Sequence, residues 1–419
     1  MKRLFLLLAC VLLPAGFIFA GGQQQSSGTA GAAKAVSLVA WVPGNTATQR
    51  NTFLDLIAAY EKANPNVKIQ YQQIPWTDYF TKLNAAFAGN AAPDLFGLGY
   101  GQAGPVYANG QILELNSHLQ GWSGWTDIPK NILAAGSVGG KLYAIMMPDI
   151  KVFWYRTDLF KQAGLDPTQP PSSIAMLKEY AAKLTQKVGG QTKMAGIDIS
   201  TSNGEQSLAE YILMFKDQGL WDAQLKPLWD TPTSLDALNL LNGFIQTKES
   251  FYATENNVGG NAFQNGLAAM HVQSFGNRVV YDQKLGKSNI AFGVQPGGLA
   301  QSGATFLAVY SHATDTQAAV DLLKYFTSTK GEQGIFNGAG FIPTRESNKQ
   351  WFISQDPAYA AAWKGMENAR TYGPMNQYFF DAINVLRPAL ESVYYNKATA
   401  QAAMSSSAAA YLKIVEKGK

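Results

Sequence analysis

The alternation of strand-like and helix-like segments near the start of the chain constrains the fold most. Residues 35–41 form an apolar run, residues 48–63 place apolar side chains at helical spacing, and residues 67–71 alternate apolar and polar side chains. A second helix is predicted over 79–90, and a third strand starts near Pro93. Because strands linked through helices make right-handed crossovers, this order predicts an α/β fold with a mainly parallel sheet flanked by helices.

The same alternation continues along the 419 residues, a length that suits two or three domains. Residues 356–419 read as mostly helical. The other predicted elements are strands at 140–146, 152–156, 266–273 and 290–295, and helices at 171–186, 207–218, 233–247, 315–328 and 331–338.

Three loops are singled out by the rule that ligands of such sheets lie beyond the carboxyl ends of the strands. They span 41–45, 74–79 and 97–102, and each carries an aromatic residue. A single ring in such a loop is as easily a packing residue as a ligand contact, but their convergence on one sheet edge favours a site. The candidate binding residues at this edge are Trp41, Asn45, Trp76, Tyr79, Tyr100 and Gln102.

The composition favours a neutral polar ligand. Charged residues make up 15% of the chain, against roughly 25% in typical proteins, whereas 22 Phe, 19 Tyr and 9 Trp supply many rings. The net charge is +4, and the Lys and Arg residues do not cluster in the sequence. No nucleic-acid partner is therefore expected. The single cysteine and three isolated histidines offer no internal disulfide and no metal-ligand spacing, and we expect no cofactor.

The N-terminus reads as an export signal. Residues 1–20 combine a basic start, a ten-residue apolar run (Leu4 to Leu13) and a plausible cleavage point after Ala20. Residues 21–34 then read as a flexible leader rich in Gly, Gln, Ser and Ala. These features predict a soluble, exported protein. A lipoprotein anchor at Cys10 is the less favoured alternative.

Five short segments carry recognisable motifs, and they are 61–65, 92–94, 148–165, 263–270 and 339–345. Together and in this order they resemble the motifs of the extracellular solute-binding proteins of ABC importers, family 1, whose best-known members bind maltose and other sugars. The departures from the family pattern include Arg156 where Asn is usual, and Phe275 where the family places a Trp that lines the cleft.

This resemblance implies a two-lobed fold of the periplasmic-binding-protein type II, with a ligand cleft between the lobes. Mapping by motif order assigns 35–146 and 304–344 to the first lobe, and 147–303 and 345–419 to the second. Hinge crossings are expected near 147–149, 301–304 and 344–348.

The resemblance also implies a function without catalysis. The protein would act as a periplasmic monomer that captures a neutral mono- or oligosaccharide by lobe closure and delivers it to the transmembrane subunits of an ABC permease. Further candidate contacts are Asp94, Asp149, Phe275, Asn277, Arg278, Phe306, Gly340 and Tyr372.

Structural roles are open for several of these candidates. Asp94 is as easily a loop cap as a ligand, Arg278 suits a surface or lobe-bridging role, and Tyr372 could simply pack. The rival cargoes are a polyamine, a sugar phosphate and Fe(III). An enzyme acting on glycans is a weaker alternative, because the chain has no nucleophile elbow, P-loop or His-Glu-x-x-His motif.

Overall fold

Two principal β-sheets organise the computed structural model, which describes residues 35–251 and 262–418. The five-stranded first sheet has the order β2-β1-β3-β13-β6, and the three-stranded second sheet has the order β10-β7-β11. The strands are β1 (Val36–Pro43), β2 (Val67–Ile74), β3 (Leu95–Gly99), β4 (Ser137–Val138), β5 (Lys141–Leu142), β6 (Ala144–Met147), β7 (Lys151–Arg156), β8 (Gln186–Val188), β9 (Gln191–Met194), β10 (Met270–Ser274), β11 (Ile290–Gly293), β12 (Ala300–Gln301), β13 (Thr305–Val309) and β14 (Ala369–Arg370).

Helices pack around these sheets and form most of the C-terminal part of the chain. They are α1 (Ala47–Ala63), α2 (Trp76–Ala88), α3 (Tyr100–Ala108), α4 (Lys130–Ala135), α5 (Thr157–Gln162), α6 (Ile174–Leu184), α7 (Gly204–Phe215), α8 (Pro232–Gln246), α9 (Arg278–Tyr281), α10 (Thr316–Phe326), α11 (Thr329–Ala339), α12 (Lys349–Gln355), α13 (Tyr359–Glu367), α14 (Phe379–Tyr394) and α15 (Ala400–Lys417).

Each sheet contains one strand that runs against the others. In the first sheet β1 pairs in parallel with β2 and β3, whereas β13 is antiparallel to both β3 and β6. In the second sheet β7 is antiparallel to β10 and β11. Parallel bridges join Ala195 to Ala268 and Asp198 to His271. The predicted mainly parallel α/β architecture is therefore confirmed, with one reversed strand in each sheet.

The reversal follows from how the chain enters each sheet. Thr305, the first residue of β13, pairs with Gly99, the last residue of β3. Lys151, the first residue of β7, pairs with Ser274, the last residue of β10. Both strands thus enter at the carboxyl edge of a sheet, so they run opposite to their neighbours. The segments before them, 148–150 and 302–304, link the two sheets, while the lobe boundaries given above stay a prediction.

The predicted elements agree with the structure where periodicity is strong. The helix predicted over 48–63 is α1, which begins with a capping box between Thr46 and Gln49. Helix α2 begins at Trp76, three residues before its predicted start. Residues 266–269 are not strand, because Gly266 turns the chain with φ of 73° and β10 begins only at Met270.

Helix α3 occupies residues that the sequence analysis assigned to a loop. It begins at Tyr100, and Gly99 at its N-cap donates its N–H to Oε1 of Gln102 at 3.0 Å. The Gly and Pro content of this stretch is typical of a loop, and Pro105 lies inside the helix. The local composition therefore pointed to the wrong element.

No helix within 35–251 or 262–418 combines the length and the apolar character that a membrane span requires. The predicted signal and leader, residues 1–34 with Cys10, lie outside the described residues.

Asp94 links separate parts of the first sheet. Its side chain is buried, with 4% exposed, and one carboxylate oxygen accepts the N–H of Val39 at 2.8 Å. The other oxygen accepts the N–H of Thr314 at 2.7 Å. Asp94 thus joins β1 to the loop that follows β13, and hydrogen bonds to a charged acceptor are among the stronger ones.

We predict that Asp94→Ala lowers the free energy of unfolding by about 3 kcal/mol, because the backbone N–H groups of Val39 and Thr314 lose the charged acceptor that the buried Asp94 provides. Urea unfolding measures the change. The exposed Asp55 of α1 provides the matched control, and Asp55→Ala should shift the value by less than about 0.5 kcal/mol. Equal effects of the two substitutions would contradict the linking role of Asp94.

Candidate functional site

A cleft of about 440 Å³ lies where the carboxyl edges of the two sheets meet. That size is typical of sites for small organic molecules. The first sheet, its helices and the loop after α11 contribute Gln49, Trp76, Thr305, Ala339, Gly340 and Phe341. The linking segments and the second sheet with its helices contribute Asp149, Lys151, Gln206, Gln273, Ser274, Gly276, Asn277, Gly303, Ala304 and Tyr372.

The rings on the first side are Trp76 and Phe341. Trp76 opens α2, and its backbone N–H donates to Oδ1 of Asn45 at 3.2 Å, which anchors the start of the helix. The indole lies against the backbone of Gly99, where an added Cβ would come within 3.2 Å of the ring. Phe341 follows Gly340, whose left-handed conformation (φ of 76°) ends α11.

The second side of the cleft presents a connected set of polar groups. The Lys151 ammonium donates to Oδ2 of Asp149 at 3.2 Å and to Oε1 of Gln273 at 3.1 Å. The hydroxyl of Ser274 donates to the other oxygen of Asp149 in a short hydrogen bond. Lys151 is buried, and a buried charge needs partners within the protein. Asp149 and Gln273 are those partners.

A buried carboxyl group lies next to this set. Glu210 is one helical turn after Gln206 on α7, and its side chain is 5% exposed. Burial raises the pKa of Glu210 to about 8, and the positive charge of Lys151 only partly opposes that effect. Near neutral pH the group therefore holds a proton on a large fraction of molecules and adds little charge beside the cleft.

The structure brings five of the candidate residues to the cleft. Two of them are side chains with polar groups, Asp149 and Asn277, and two are rings, Trp76 and Tyr372. Gly340 contributes backbone, facing Gly276 of the opposite side so closely that an added Cβ would lie 3.3 Å from its Cα. Tyr372 is mostly buried and its ring packs on that of Tyr100, with centroids 5.3 Å apart.

Three candidate rings lie in the core instead. Tyr79 and Phe306 have no exposed surface, and Phe275 is 1% exposed. Tyr79 donates its hydroxyl to the carbonyl of Trp41 at 3.2 Å, which holds the end of β1 against α2. Phe275 packs among other aromatic side chains, namely Phe292, Phe336, Phe352 and Tyr359.

The remaining candidates do not line the cleft and make structural contacts. Trp41 packs half-buried against the core, and Asn45 supports Trp76 as described. Asp94 and Gln102 accept backbone N–H groups, whereas Tyr100 donates to the carbonyl of Pro374 at 3.0 Å. Arg278 pairs with Asp282 at 3.4 Å and lies over the ring of Tyr359.

Several cleft residues were missed from the sequence. Lys151 had a recognisable signal, since it is a charged residue at the start of the apolar strand β7 and two positions after Asp149. Gln273 and Ser274 end β10, so the rule about carboxyl ends applies to them as well. Gln49 and Gln206 had no comparable signal, because only the packing of their helices turns them toward the cleft. Phe341 had one, since it lies in the motif segment 339–345 directly after the candidate Gly340.

Solved structures share this architecture. The sugar-binding protein MalE of Xanthomonas citri superposes with a TM-score of 0.81 at 20% identity, covering 91% of this chain and 98% of that one. An ABC substrate-binding protein of Listeria monocytogenes in complex with cycloalternan gives a TM-score of 0.77 at 18% identity, covering 91% and 99%. The fold is therefore that of the two-lobed periplasmic binding proteins, as predicted.

The family model for bacterial extracellular solute-binding proteins matches residues 55–368. The chain belongs to this family of solute-binding proteins. Among curated relatives, the sn-glycerol-3-phosphate-binding periplasmic protein of Pectobacterium atrosepticum is 24% identical over 278 residues, covering 61% of this chain and 62% of that protein. The resemblance drawn from the motifs is confirmed.

The buried carboxyl of Glu210 predicts a specific pH dependence of stability. Its folded pKa of about 8 lies above the ordinary value of 4.5, so the folded state binds more protons between these two values. The stabilisation of the folded state by the proton on Glu210 is complete below pH 4.5 and is lost as the pH rises to about 8. We expect the free energy of unfolding of the wild type to fall, relative to Glu210→Gln, by the order of a few kcal/mol over this range.

Urea unfolding of the wild type and Glu210→Gln between pH 4.5 and 9 gives the free energy of unfolding of each protein. Subtracting one curve from the other removes the pH dependence that both proteins share. Glu205→Gln is an unsuitable control because Glu205 pairs with Arg387 at 2.6 Å. The exposed Glu416 of α15 is suitable, and Glu416→Gln should show no such relative change. Parallel curves for the wild type and Glu210→Gln would contradict the buried, protonated state.

Proposed function

We propose that the protein captures a neutral mono- or oligosaccharide in this cleft and delivers it to the transmembrane subunits of an ABC permease. The chemistry of the residues that line the cleft supports this function most strongly. Trp76 and Phe341 offer flat apolar surfaces on one side, while amides and the Asp149–Lys151 pair offer donors and acceptors on the other. A pyranose has both an apolar C–H face and a rim of hydroxyls, so this lining matches it.

The charge balance of the cleft favours a neutral solute over a charged one. Among the described lining residues the charged side chains are Asp149 and Lys151, and they face each other at 3.2 Å. A polyamine would need uncompensated carboxylates, and a phosphate would need an uncompensated cation. Arg278, which follows the lining residue Asn277 in the chain, is already paired with Asp282.

A phosphorylated polyol is the second candidate. A relative named for binding sn-glycerol-3-phosphate and the presence of Lys151 in the cleft favour it. Fe(III) has less support, since the part of the chain described here contains no group of three or more His, Cys, Asp or Glu side chains arranged to hold a metal ion. Members of the family are solute-binding proteins, which supports binding without catalysis.

Capture would proceed by closure of the two sides about the linking segments near 147–149, 301–304 and 344–348. A solute that touches Trp76 on one side and Asn277 on the other gains its full set of contacts only when the sides are together. That difference in contacts is what shifts the population toward the closed form. No nucleic acid and no cofactor takes part, and the protein acts as a monomer.

The site of action would be outside the cytoplasm, in keeping with an extracellular family. Export would use residues 1–20 as a signal peptide, with 21–34 as a leader and a periplasmic mature protein. Lipid attachment at Cys10 is the alternative to a freely diffusing form.

A thermal-shift screen decides among the cargoes, because a ligand that binds only the folded state raises the melting temperature. Neutral mono- and disaccharides, sn-glycerol 3-phosphate, putrescine and Fe(III) citrate form the panel. We expect stabilisation by at least one neutral sugar. Stabilisation by sn-glycerol 3-phosphate alone would favour the second candidate, and stabilisation by putrescine or iron alone would overturn both.

Loss of the stacking surface should weaken sugar binding. Trp76→Ala removes most of an apolar ring contact worth about 1.5–3 kcal/mol, so we expect the Kd to rise about 10- to 100-fold, measured by titration calorimetry. Trp76→Phe should retain part of the affinity. Trp125→Ala is the control, because Trp125 does not line the cleft and its loss should leave the Kd unchanged.

Ionic strength separates a neutral cargo from a charged one. For a neutral sugar we expect the Kd to change by less than about twofold between 20 mM and 500 mM NaCl, since salt screens only interactions between charges. The same titration with a phosphorylated polyol should show weaker binding at high salt. A strong salt dependence for the preferred sugar would contradict binding by rings and dipoles.

A further inference from the structure

A buried histidine lies behind the polar side of the cleft. His271 on β10 is 2% exposed, and its Nδ1 lies 2.9 Å from the backbone carbonyl oxygen of Asp198. Its Nε2 lies 3.4 Å from Nε2 of Gln273, two residues along the same strand and therefore on the same face of the sheet. His271 thus touches a cleft residue without lining the cleft itself.

The orientation of the Gln273 amide is determined by its other partners. Its Oε1 faces two groups that can only donate, the Lys151 ammonium at 3.1 Å and the backbone N–H of Ser274 at 2.8 Å. Turning the amide over would place its NH₂ against both of these donors. The amide nitrogen must therefore face His271.

That orientation in turn determines the state of the imidazole. Since Gln273 presents N–H groups to Nε2 of His271, Nε2 has to accept, and the proton of the neutral ring lies on Nδ1. Nδ1–H then donates to the carbonyl of Asp198, which can only accept. The side-chain carboxylate of Asp198 is also near, with Oδ2 at 3.7 Å from Nδ1, but it accepts the N–H of Phe263 at 2.8 Å.

These contacts form a continuous chain of polar contacts from the core to the cleft, which we call the relay. His271 orients Gln273, Gln273 holds the Lys151 ammonium, and Lys151 pairs with Asp149. The last two residues line the cleft and are the groups whose remaining donors and acceptors meet a solute. Directional hydrogen bonds of this kind discriminate hydroxyl positions, because a misplaced hydroxyl leaves a buried group unpaired.

We propose that His271 is a positioning residue that fixes the hydrogen-bond pattern of Lys151 and Asp149, and thereby sets the selectivity of the cleft among sugar epimers. The selectivity part of the proposal rests on the sugar-binding function proposed above. The relay itself does not rest on it, since its tautomer and its amide orientation are properties of the ligand-free protein.

The first test measures how well the protein discriminates among sugar epimers. Glucose, galactose and mannose are titrated calorimetrically into the wild type, His271→Phe and His271→Gln. His271→Phe keeps a ring to pack on Phe263, whose centroid lies 6.1 Å away, but removes both nitrogens. We expect it to weaken the preferred epimer about tenfold and the poorer epimers by less than about threefold, so that discrimination falls.

His271→Gln is the rescue variant, because its side-chain oxygen can accept from Gln273. It should keep the wild-type ratio of affinities. His312→Phe is the matched control, since His312 is exposed and packs beside Tyr310 away from the cleft. Unchanged discrimination in His271→Phe, or equal damage in the Phe and Gln variants, would overturn the proposal.

The second test needs no ligand, and its decisive measurement uses the wild type. The ¹⁵N chemical shifts of the imidazole in the ligand-free wild type distinguish the two neutral tautomers. We expect His271 to be protonated at Nδ1, and Gln273→Met to relax that preference. Protonation at Nε2 in the wild type would overturn the relay. If no neutral mono- or oligosaccharide binds but the Nδ1 tautomer is found, the sugar function fails while the relay stands.

Discussion

Strands β7 and β13 both enter at the carboxyl edges of the two sheets, and this arrangement determines where the cleft lies. Each of these strands starts beside the last residue of a neighbour, Lys151 beside Ser274 and Thr305 beside Gly99. The linking segments are short, so the carboxyl edges of both sheets have to face each other. The cleft forms between these edges, and strand ends and helix starts line it.

The electrostatics of the cleft follow from charges that the protein balances internally. Lys151 is held by Asp149 and Gln273, and burial keeps Glu210 largely protonated near neutral pH. A solute therefore meets oriented dipoles and rings more than net charge. This agrees with a composition low in charged residues and rich in aromatic ones, although most of those rings pack in the cores and few reach the cleft.

Prediction from the sequence worked best for residues whose position follows from strand order. Trp76 was found because it follows a strand end, whereas Asp149 was found through the hinge crossing near 147–149 that the family resemblance implies. Tyr79, only three residues after Trp76, turns into the core. The two rings could not be separated from the sequence, because both fall in the predicted loop 74–79, whereas α2 already begins at Trp76. Phe275 was placed by analogy with a family tryptophan, whereas the structure surrounds it with the rings of α11, α12 and α13. Gln206 was missed because the rotation of α7 about its own axis depends on long-range packing.

The α/β class, the order of the elements and the family can be inferred from the sequence, because periodicity and motif order are properties of the chain itself. Which strand ends meet, and which side chains share a hydrogen-bond network, depends on long-range packing and is evident only in the folded structure. His271 and Lys151 are far apart in the chain, and no local pattern links them. They are joined through Gln273 because β10 and β7 pair in an antiparallel register that places Gln273 opposite Val152, beside Lys151.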